Sequence, residues 1–491
     1  MAKNDFLEAI KGDGKVTTLN GAVTNPTTFS NLLDFFASGA ALRNRSEEDI
    51  VELFSKAYAE SANYAMKALF YIRDVRGGQG ERRTFRTILK WLAVNDHAAL
   101  AKMAHLVPEY GRWDDLIDLI TPAKAYDGDE DLGNIIAGFV HDQLIEDANS
   151  DHPSLCAKWM PSINTSSKKT RKQAIDMARI MGVAFDTYRK MLSKIRRQIG
   201  IVEQQMSAAG WSGIEYDKIP SRASSLYAKA FRKHDEDRYG SFIEAVKKGE
   251  KKINASTLYP YEIIKAASKG HRPELDALWN ALPNYVDEPE NALVVCDTSG
   301  SMMSAKNRNI EPIFVATSLA MYFAERNTGI WQNYFITFSN VPELQEIVGN
   351  NVSEKFMNLR DAEWNMNTDF EAVFKMILDA AKSHKLPDSK MVKKLYVISD
   401  MEFDKADGDF TNFDAIKKAY KKCGYTMPRL VFWNVDAKQT QFPVTMNDEG
   451  VFLVSGCSPS ILKHAVNSKC LGAADLMLEV LGSKRYDRIH A

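Results

Sequence analysis

Two patterns of hydrophobic and polar positions divide the chain near residue 288. Upstream, apolar residues recur at spacings of three and four, as in EEDIVELFSKAYAESANYAMKALFYIRDV, where Ile50, Leu53, Phe54 and Tyr58 share one helical face. Segments of this kind follow one another up to about residue 287, and strand-like alternation is scarce among them. The spacing predicts an all-helical N-terminal region over residues 1–287, built as a solenoid of helical pairs or as an irregular bundle.

Downstream of residue 288, short runs rich in β-branched and aromatic residues alternate with amphipathic helices. The predicted strands are 292–297, 333–339, 394–400 and 429–435, with a candidate last strand at 450–456 and a closing helix from about Pro459. The predicted helices between the strands are 313–326, 369–384 and 412–424. This alternation indicates βα units around a parallel sheet. Residues 288–491 are therefore predicted to form a Rossmann-like α/β domain, which makes the fold class α + α/β.

Composition narrows the class of protein. The 491 residues are 45% hydrophobic and 26% charged, and the net charge of −1 gives no overall attraction to nucleic acid or membrane. The five cysteines are widely spaced and form no CxxC pair, so neither a disulfide framework nor a zinc ribbon is indicated. The charged N-terminus does not have the pattern of a signal peptide, and no apolar run is long enough to span a membrane. We expect a soluble, cytoplasmic protein with no membrane partner.

Carboxylates and hydroxyl groups follow two of the predicted strands. Asp297 ends ALVVCD and Asp400 ends KLYVISD. Ser299 and Ser301 follow Asp297 at every second position, and Thr368 adds a further hydroxyl in NMNTDF. Ligands of open α/β sheets collect beyond the carboxyl ends of the strands. Two carboxylates there repel each other unless a cation lies between them, and hard oxygen donors suit magnesium. The sequence therefore predicts a site for Mg²⁺ or another divalent cation.

Other interpretations of these residues remain open. A polar turn after a buried strand accounts for the serines alone, and a degenerate site that no longer binds metal retains the same residues. A haloacid-dehalogenase-like phosphatase needs an aspartate where Ser299 stands, and the chain carries no GxSxG, HExxH or GxxxxGK[ST] motif. We predict that the protein is not an enzyme.

Five arginines cluster around the glycines of FYIRDVRGGQGERRTFRTIL: Arg73, Arg76, Arg82, Arg83 and Arg86. The segment follows a helical pattern and has Arg83 where a dinucleotide-binding fingerprint has its third glycine. We expect a loop whose open backbone amides and guanidinium groups hold phosphate. The alternative is an inter-helix turn with solvated arginines.

A second basic region spans residues 151–200, with eleven Lys and Arg against three Asp. Trp159, Tyr188 and Trp211 are nearby aromatic residues that are expected to stack on unpaired bases. The alternative is an ordinary solvated face.

Two resemblances accompany these patterns. Asp-x-Ser-x-Ser followed by a later Thr and Asp resembles the metal-ion-dependent adhesion site of von Willebrand factor A domains, with Asp297, Ser299, Ser301, Thr368 and Asp400 at its five positions. A helical region containing RDVRGGQGER ahead of such a domain resembles the TROVE module of Ro ribonucleoproteins. It is similar above all to a related, less characterised family of plants, fungi, bacteria and phages, through AKWMPS, YRKMLSKIRRQI, IEYDKIPSRA and GEKKINASTLYPYEI.

The resemblance implies a HEAT-like, ring-forming helical region and a von Willebrand factor A domain. It also implies a non-catalytic scaffold that binds single-stranded or structured small RNA, and a protein ligand that offers an acidic residue to the metal; no DNA partner is expected. The residues assigned to RNA are Arg76, Arg82, Arg83, Lys158, Lys168, Lys169, Arg171, Lys172, Arg189, Lys190, Arg196 and Arg197. The alternatives are a protein-binding adaptor or chaperone factor without RNA, and an accessory structural component of a phage particle.

Overall fold

The computed structural model describes residues 15–123, 130–286, 291–303, 310–338, 341–361, 369–404, 412–465 and 471–491. The chain begins with a short antiparallel pair, β1 (Val16–Thr17) and β2 (Val23–Thr24). Helices then follow one another. They are α1 (Asn31–Ser38), α2 (Glu47–Glu60), α3 (Ala62–Arg73), α4 (Arg83–Asn95), α5 (His97–Met103), α6 (Val107–Tyr110), α7 (Trp113–Ala123), α8 (Glu130–Asn149), α9 (Cys156–Trp159), α10 (Lys168–Ile180), α11 (Phe185–Ile199), α12 (Val202–Ser207), α13 (Ser221–His234), α14 (Glu236–Lys247), α15 (Pro260–Ala267) and α16 (Pro273–Asn280).

The helix boundaries have local causes. The side chain of Ser46 accepts a hydrogen bond from the backbone N–H of Asp49 at 3.0 Å and so caps the start of α2. The C-terminus of α11 is set by Gly200. This residue adopts the left-handed conformation (φ 65°), which glycine reaches without strain. Helix α2 buries Ile50, Leu53 and Phe54, the face that the spacing predicts.

A buried ion pair connects the helices of the N-terminal region. The guanidinium Nη2 of Arg73, at the end of α3, lies 2.6 Å from Oδ2 of Asp115 in α7, and both side chains are almost completely buried. Arg86 of α4 reaches the same carboxylate, with its Nε 2.6 Å from Oδ1. Three helices are thus fixed around one carboxylate.

The C-terminal region is a six-stranded sheet with packed helices. Its strand order is β5-β4-β3-β6-β7-β8, in which β5 alone is antiparallel to its neighbour. The strands are β3 (Ala292–Asp297), β4 (Tyr334–Phe338), β5 (Leu344–Glu346), β6 (Lys394–Ser399), β7 (Arg429–Asn434) and β8 (Val451–Ser455). The helices are α17 (Pro312–Arg326), α18 (Val352–Asp361), α19 (Phe370–Ser383), α20 (Asn412–Cys423), α21 (Leu462–Ala465) and α22 (Ala473–Leu481). Strand β3 is where the strand order reverses, since β4 pairs with one of its edges and β6 with the other.

The two regions are joined at both chain ends. Helix α1 packs on β8, and the backbone of Asn25 exchanges hydrogen bonds of 3.0 and 2.8 Å with Phe442. At the other end of the chain, Arg485 forms a bidentate ion pair with Asp74 in the turn after α3, and the hydroxyl of Tyr486 donates to the same carboxylate at 3.1 Å. The Asp74 side chain is fully buried.

The predicted class, a helical region followed by α/β units, is confirmed. The four main predicted strands and the candidate strand at 450–456 each lie within one residue of an observed strand at both ends. Strand β5, which has only three residues, and the β1–β2 pair were not predicted from the sequence. Among the helices in the described ranges, none combines the length and apolarity that a membrane crossing requires.

Candidate functional site

The sheet brings two carboxylates together at one edge. Asp297 ends β3 and Asp400 directly follows β6, and these strands run parallel as neighbours, with Cys296 opposite Ile398. Parallel strands end at the same edge of a sheet, and here it is the edge at which ligands of α/β folds bind. Both aspartates are almost completely buried.

Two serines connect these carboxylates. The backbone N–H of Ser299 donates to Oδ1 of Asp297 at 2.9 Å, and the Oγ atoms of Ser299 and Ser301 lie 3.0 Å apart. The Ser301 hydroxyl donates to Oδ2 of Asp400 at 2.7 Å. Four of the five predicted ligands therefore form one hydrogen-bonded cluster. The fifth, Thr368, lies outside the described residues.

A further serine that the sequence analysis did not single out holds the first carboxylate in place. The hydroxyl of Ser399 donates to Oδ2 of Asp297 at 2.5 Å and accepts the backbone N–H of Met401 at 2.9 Å. Met401 adopts a positive φ of 66°, which costs free energy in a residue other than glycine and is a feature that clusters at functional sites. The sequence signal that could have revealed Ser399 is its position, because it is a polar residue at the end of the apolar run KLYVIS.

Lys438 is the second residue that the sequence analysis missed. Its ammonium group donates to Oδ2 of Asp400 at 2.6 Å and to the backbone carbonyl of Ser301 at 3.3 Å. No sequence signal connects it to the cluster, because 37 residues separate it from the nearer aspartate.

The electrostatics of the pair favour a cation. Burial, and secondly the like charge of Asp400, raise the pKa of Asp297 above its usual range, and hydrogen bonds from Ser399 and Ser299 oppose the shift. A divalent ion would favour the ionised form, and two carboxylates with two hydroxyls are donors that Mg²⁺ accepts. The residues present therefore fit the ion. Within the described ranges, no three His, Cys, Asp or Glu side chains come together as a metal-ligating group.

The glycine turn after α3 differs from the predicted phosphate loop. The backbone N–H groups of Gly78 and Gly80 donate to the carbonyl of Asp74, and that of Gln79 donates to the carbonyl of Tyr71. A Cβ atom on Gly78 would lie 2.0 Å from that same Tyr71 oxygen. The expectation of open amides is wrong, because the turn folds back on the end of its own helix.

The arginines of this turn have different roles. The guanidinium of Arg76 donates to the carbonyl of Glu109, and that of Arg83 donates to the carbonyls of Arg43 and Arg45, so both tie segments of the backbone together. Arg82 forms no hydrogen bond or ion pair through its side chain with the described residues. Burial is the main cause that lowers the pKa of its guanidinium, and Asp114 opposes the shift.

Arg82 lines a cavity of about 1100 Å³ between the helices. Helix α13 contributes Arg222 and the exposed Leu226 to the wall, which also includes Tyr259 and Ile310. The walls also carry carboxylates, so the cavity is of mixed charge rather than uniformly basic. Its lining residues are Arg43, Asn44, Glu47, Gly80, Glu81, Arg82, Arg83, Arg86, Thr87, Lys90, Asp115, Asp118, Leu119, Arg222, Ser225, Leu226, Leu258, Tyr259, Tyr261, Glu262, Lys265 and Ile310.

Several cations of the second basic region are occupied by the protein itself. Arg196 is the clearest correction, because its guanidinium donates to the carbonyls of Ala157 and Met160 and to the hydroxyl of Ser162. The other occupied cations have one partner or share one. Lys158 pairs with Glu203, Arg179 with Asp176, and Arg189 and Lys190 with Asp186, while Arg171 and Lys194 donate to the carbonyls of Thr165 and Ala148. The remaining exposed cations are Lys168, Lys169, Lys172 and Arg197.

The aromatic residues are less available for base stacking than the sequence suggests. Tyr188 is completely buried and its hydroxyl donates to the carbonyl of Pro161 at 2.9 Å, so its expected stacking is wrong. Trp211 stacks on the ring of His234, with centroids 4.5 Å apart. Trp159 has the guanidinium of Arg112 over its face at 5.2 Å.

Comparison with known proteins gives similarities without an established activity. Residues 291–483 match the model of a domain of unknown function, DUF7788, and residues 18–130 and 164–294 match that of another, DUF2828. "Uncharacterized protein L728" of Acanthamoeba polyphaga mimivirus is 28% identical over 506 residues, covering 94% of this chain and 86% of the relative. The similarity therefore extends over both regions of the fold.

Proposed function

We propose that the protein is a non-catalytic binding protein whose C-terminal region is a von Willebrand factor A-like domain. This domain holds Mg²⁺ or another divalent cation through Asp297, Ser299, Ser301 and Asp400, with Thr368 as the fifth ligand that the sequence assigns. The bound ion supplies a Lewis-acidic position for an acidic side chain of a partner protein. The observation that carries the proposal is the continuous cluster that links Asp297 to Asp400 through Ser299 and Ser301 at the sheet edge.

The chain's own residues prepare this position. Ser399 orients Asp297, and the backbone N–H of Glu402 donates to Oδ1 of Asp400 at 3.2 Å. Oriented donors lose little conformational entropy when a ligand arrives, which favours binding. Burial of both carboxylates also limits competition from water for their oxygens.

Titration calorimetry with Mg²⁺ alone tests the metal site. We expect wild type to bind the ion, and Asp297→Ala or Asp400→Ala to weaken the affinity at least roughly tenfold, because each removes an anionic ligand. Asp379→Ala is the matched control, since it removes an exposed carboxylate on α19 and is expected to leave the affinity unchanged. If wild type shows no heat of binding and Mg²⁺-soaked crystals show no ion, the metal-site proposal fails.

Protein binding is tested next by pull-down with and without chelator. We expect wild type to capture a partner protein that chelator releases, and we expect the Asp400→Ala variant not to capture it. Acetate gives a defined probe of the same chemistry, because a carboxylate at the ion is the expected ligand. If the same proteins are captured with and without chelator and by the Asp400→Ala variant, the adhesion function is contradicted.

A second candidate function is RNA binding by the helical region, which we propose to be HEAT-like and related to the TROVE module. The supporting observation is the large cavity whose wall carries Arg82, a half-buried guanidinium without an ion-pair partner among the described residues. The exposed cations Lys168, Lys169 and Lys172 on α10 offer a further phosphate-binding face. Tyr188 and Arg196 no longer belong to this surface, because the protein occupies both.

Gel shifts with a single-stranded tail, a hairpin and a duplex test RNA binding. Replacing Lys168, Lys169 and Lys172 together by Glu should weaken binding across sequences, since phosphate contacts carry no sequence information. Each lost contact should lower the slope of log affinity against log salt by roughly 0.7 for single strands. The same change at the exposed Lys382, Lys385 and Lys390 is the control for net charge. If wild type binds none of the three RNAs, the adaptor without RNA replaces this candidate.

A further inference from the structure

Lys438 places a positive charge inside the candidate metal cluster. Its side chain is 14% exposed and that of its partner Asp400 is fully buried. The ammonium lies 2.6 Å from the same oxygen, Oδ2, to which the Ser301 hydroxyl donates. It therefore occupies an atom that the proposed function needs as a metal ligand.

The loop that carries this lysine is anchored to the N-terminal helical region. The backbone N–H of Ala437 donates to the carbonyl of Ala41 at 3.1 Å, and the amide of Asn44 donates to Asp436 at 2.8 Å. The guanidinium of Arg45 donates to the carbonyl of Lys438 itself at 3.2 Å. Two of these contacts hold the loop's backbone and the third holds the side chain of Asp436. The Lys438 side chain, in contrast, has four rotatable bonds with which to leave Asp400.

Charge decides between the two cations. A divalent ion requires both aspartates to be ionised, so the ion together with the Lys438 ammonium would set a charge of +3 against −2, with two cations at one carboxylate. Two cations that contact the same carboxylate repel each other strongly where water is limited. The ion and the Lys438 ammonium therefore compete for Asp400.

We propose that Lys438 is a built-in competitor of the divalent cation. It neutralises Asp400 when no ion is bound, and it must leave that carboxylate for the ion to bind. The inference rests on the proposed metal site and adds the residue that sets the affinity of the site. Its consequence is a protein that stays folded without metal and binds the ion only weakly.

Replacing Lys438 by Met tests the competition, because it removes the charge and keeps an unbranched apolar side chain of similar length. Calorimetry with Mg²⁺ should show an affinity roughly ten- to a hundredfold tighter than wild type, since no charge has to be displaced. Thermal unfolding supplies an independent measurement. Chelator should leave the midpoint of wild type unchanged and lower that of Lys438→Met, and Mg²⁺ should restore it.

Three further variants make the outcome decisive. Lys438→Arg retains the charge and should keep the weak affinity of wild type. Lys393→Met removes an exposed lysine that pairs with Asp388 on the same domain and should change neither measurement. Arg45→Met removes one of the loop's three anchoring contacts, the one to the carbonyl of Lys438 itself, without touching the cluster. It should therefore tighten Mg²⁺ binding partially even if Lys438→Met folds poorly.

The failures of the inference and of the proposed function are distinguishable. Equal Mg²⁺ affinity in wild type, Lys438→Met and Arg45→Met overturns the inference and leaves the metal site standing. If none of the three binds Mg²⁺ at millimolar concentration, the metal site itself fails, and Lys438 is then a fixed counter-ion rather than a competitor.

Discussion

The ion pair between Arg485 and Asp74 allows a quantitative test of how the chain's end is held to the helical region. The Asp74 carboxylate is fully buried, and Arg485 donates to both of its oxygens. Replacing Arg485 by Met leaves this carboxylate without its cation and keeps the apolar stem of the side chain. Breaking a buried pair in this way typically costs about 3–5 kcal/mol.

Two features of the site reduce that cost. The hydroxyl of Tyr486 and the backbone N–H of Arg76 continue to donate to Asp74, at 3.1 and 2.9 Å. The Arg485 side chain is 33% exposed, so water reaches the space it leaves. We therefore expect Arg485→Met to lower the free energy of unfolding by about 2–4 kcal/mol.

The neighbouring Arg488 provides a matched control. It pairs with Glu109 at 2.7 Å in the same C-terminal segment, but its side chain is 59% exposed. Surface pairs contribute about 0–1 kcal/mol, so Arg488→Met should cost little, and added salt should reduce its effect further. Urea unfolding followed by circular dichroism measures both variants. Equal costs for the two arginines would refute the reasoning from burial.

The remaining predictions concern other buried groups. Tyr188→Phe should lower stability by about 1 kcal/mol through one lost hydrogen bond and leave RNA gel shifts unchanged. Gly80→Ala should destabilise the protein in thermal unfolding, because a Cβ atom on this residue (φ +66°) would lie 1.6 Å from a tyrosine hydroxyl. Burial raises the pKa of the Cys457 thiol to about 11, so in a Cys470→Ser background a thiol reagent at neutral pH should label the half-buried Cys423 and not Cys457, as read by mass spectrometry.

The strands and the clustering of Asp297, Ser299, Ser301 and Asp400 were predictable because both follow from short-range patterns. Apolar β-rich runs indicate buried parallel strands, and the carboxyl ends of such strands meet at one edge. Asp297 and Asp400 are therefore brought together by topology alone, without knowledge of any loop. The burial of Tyr188 was also predictable, because it precedes Leu192 and Ile195 by four and seven residues on the apolar face of α11.

Hydrogen-bond partners supplied by the backbone were not predictable. Counting Lys and Arg in the sequence treats Arg196 as a cation that is available to a ligand. In the structure its guanidinium donates to two carbonyls and a hydroxyl. The glycine turn likewise looks open in sequence, whereas carbonyls of the preceding helix take up its amides. Sequence patterns report which groups a segment carries but not which carbonyls the fold brings within reach. Lys438 was not predicted as part of the site for the same reason, because only the fold brings its ammonium group to Asp400 and to the carbonyl of Ser301.

Residues 41–45 connect the two proposed binding sites, which the sequence assigns to separate domains. Asn44 lines the large cavity and also holds the loop of Lys438 through Asp436, and Arg45 holds the carbonyl of that lysine. A ligand that moves this segment from the cavity side would therefore act on the cation that competes for Asp400. Binding linkage is reciprocal, so where both proposed sites bind their ligands, any factor by which RNA changes the affinity for Mg²⁺ equals the factor by which Mg²⁺ changes the affinity for RNA. Titrating each in the presence of the other measures that factor, and Arg45→Met should bring it towards one if this segment carries the coupling.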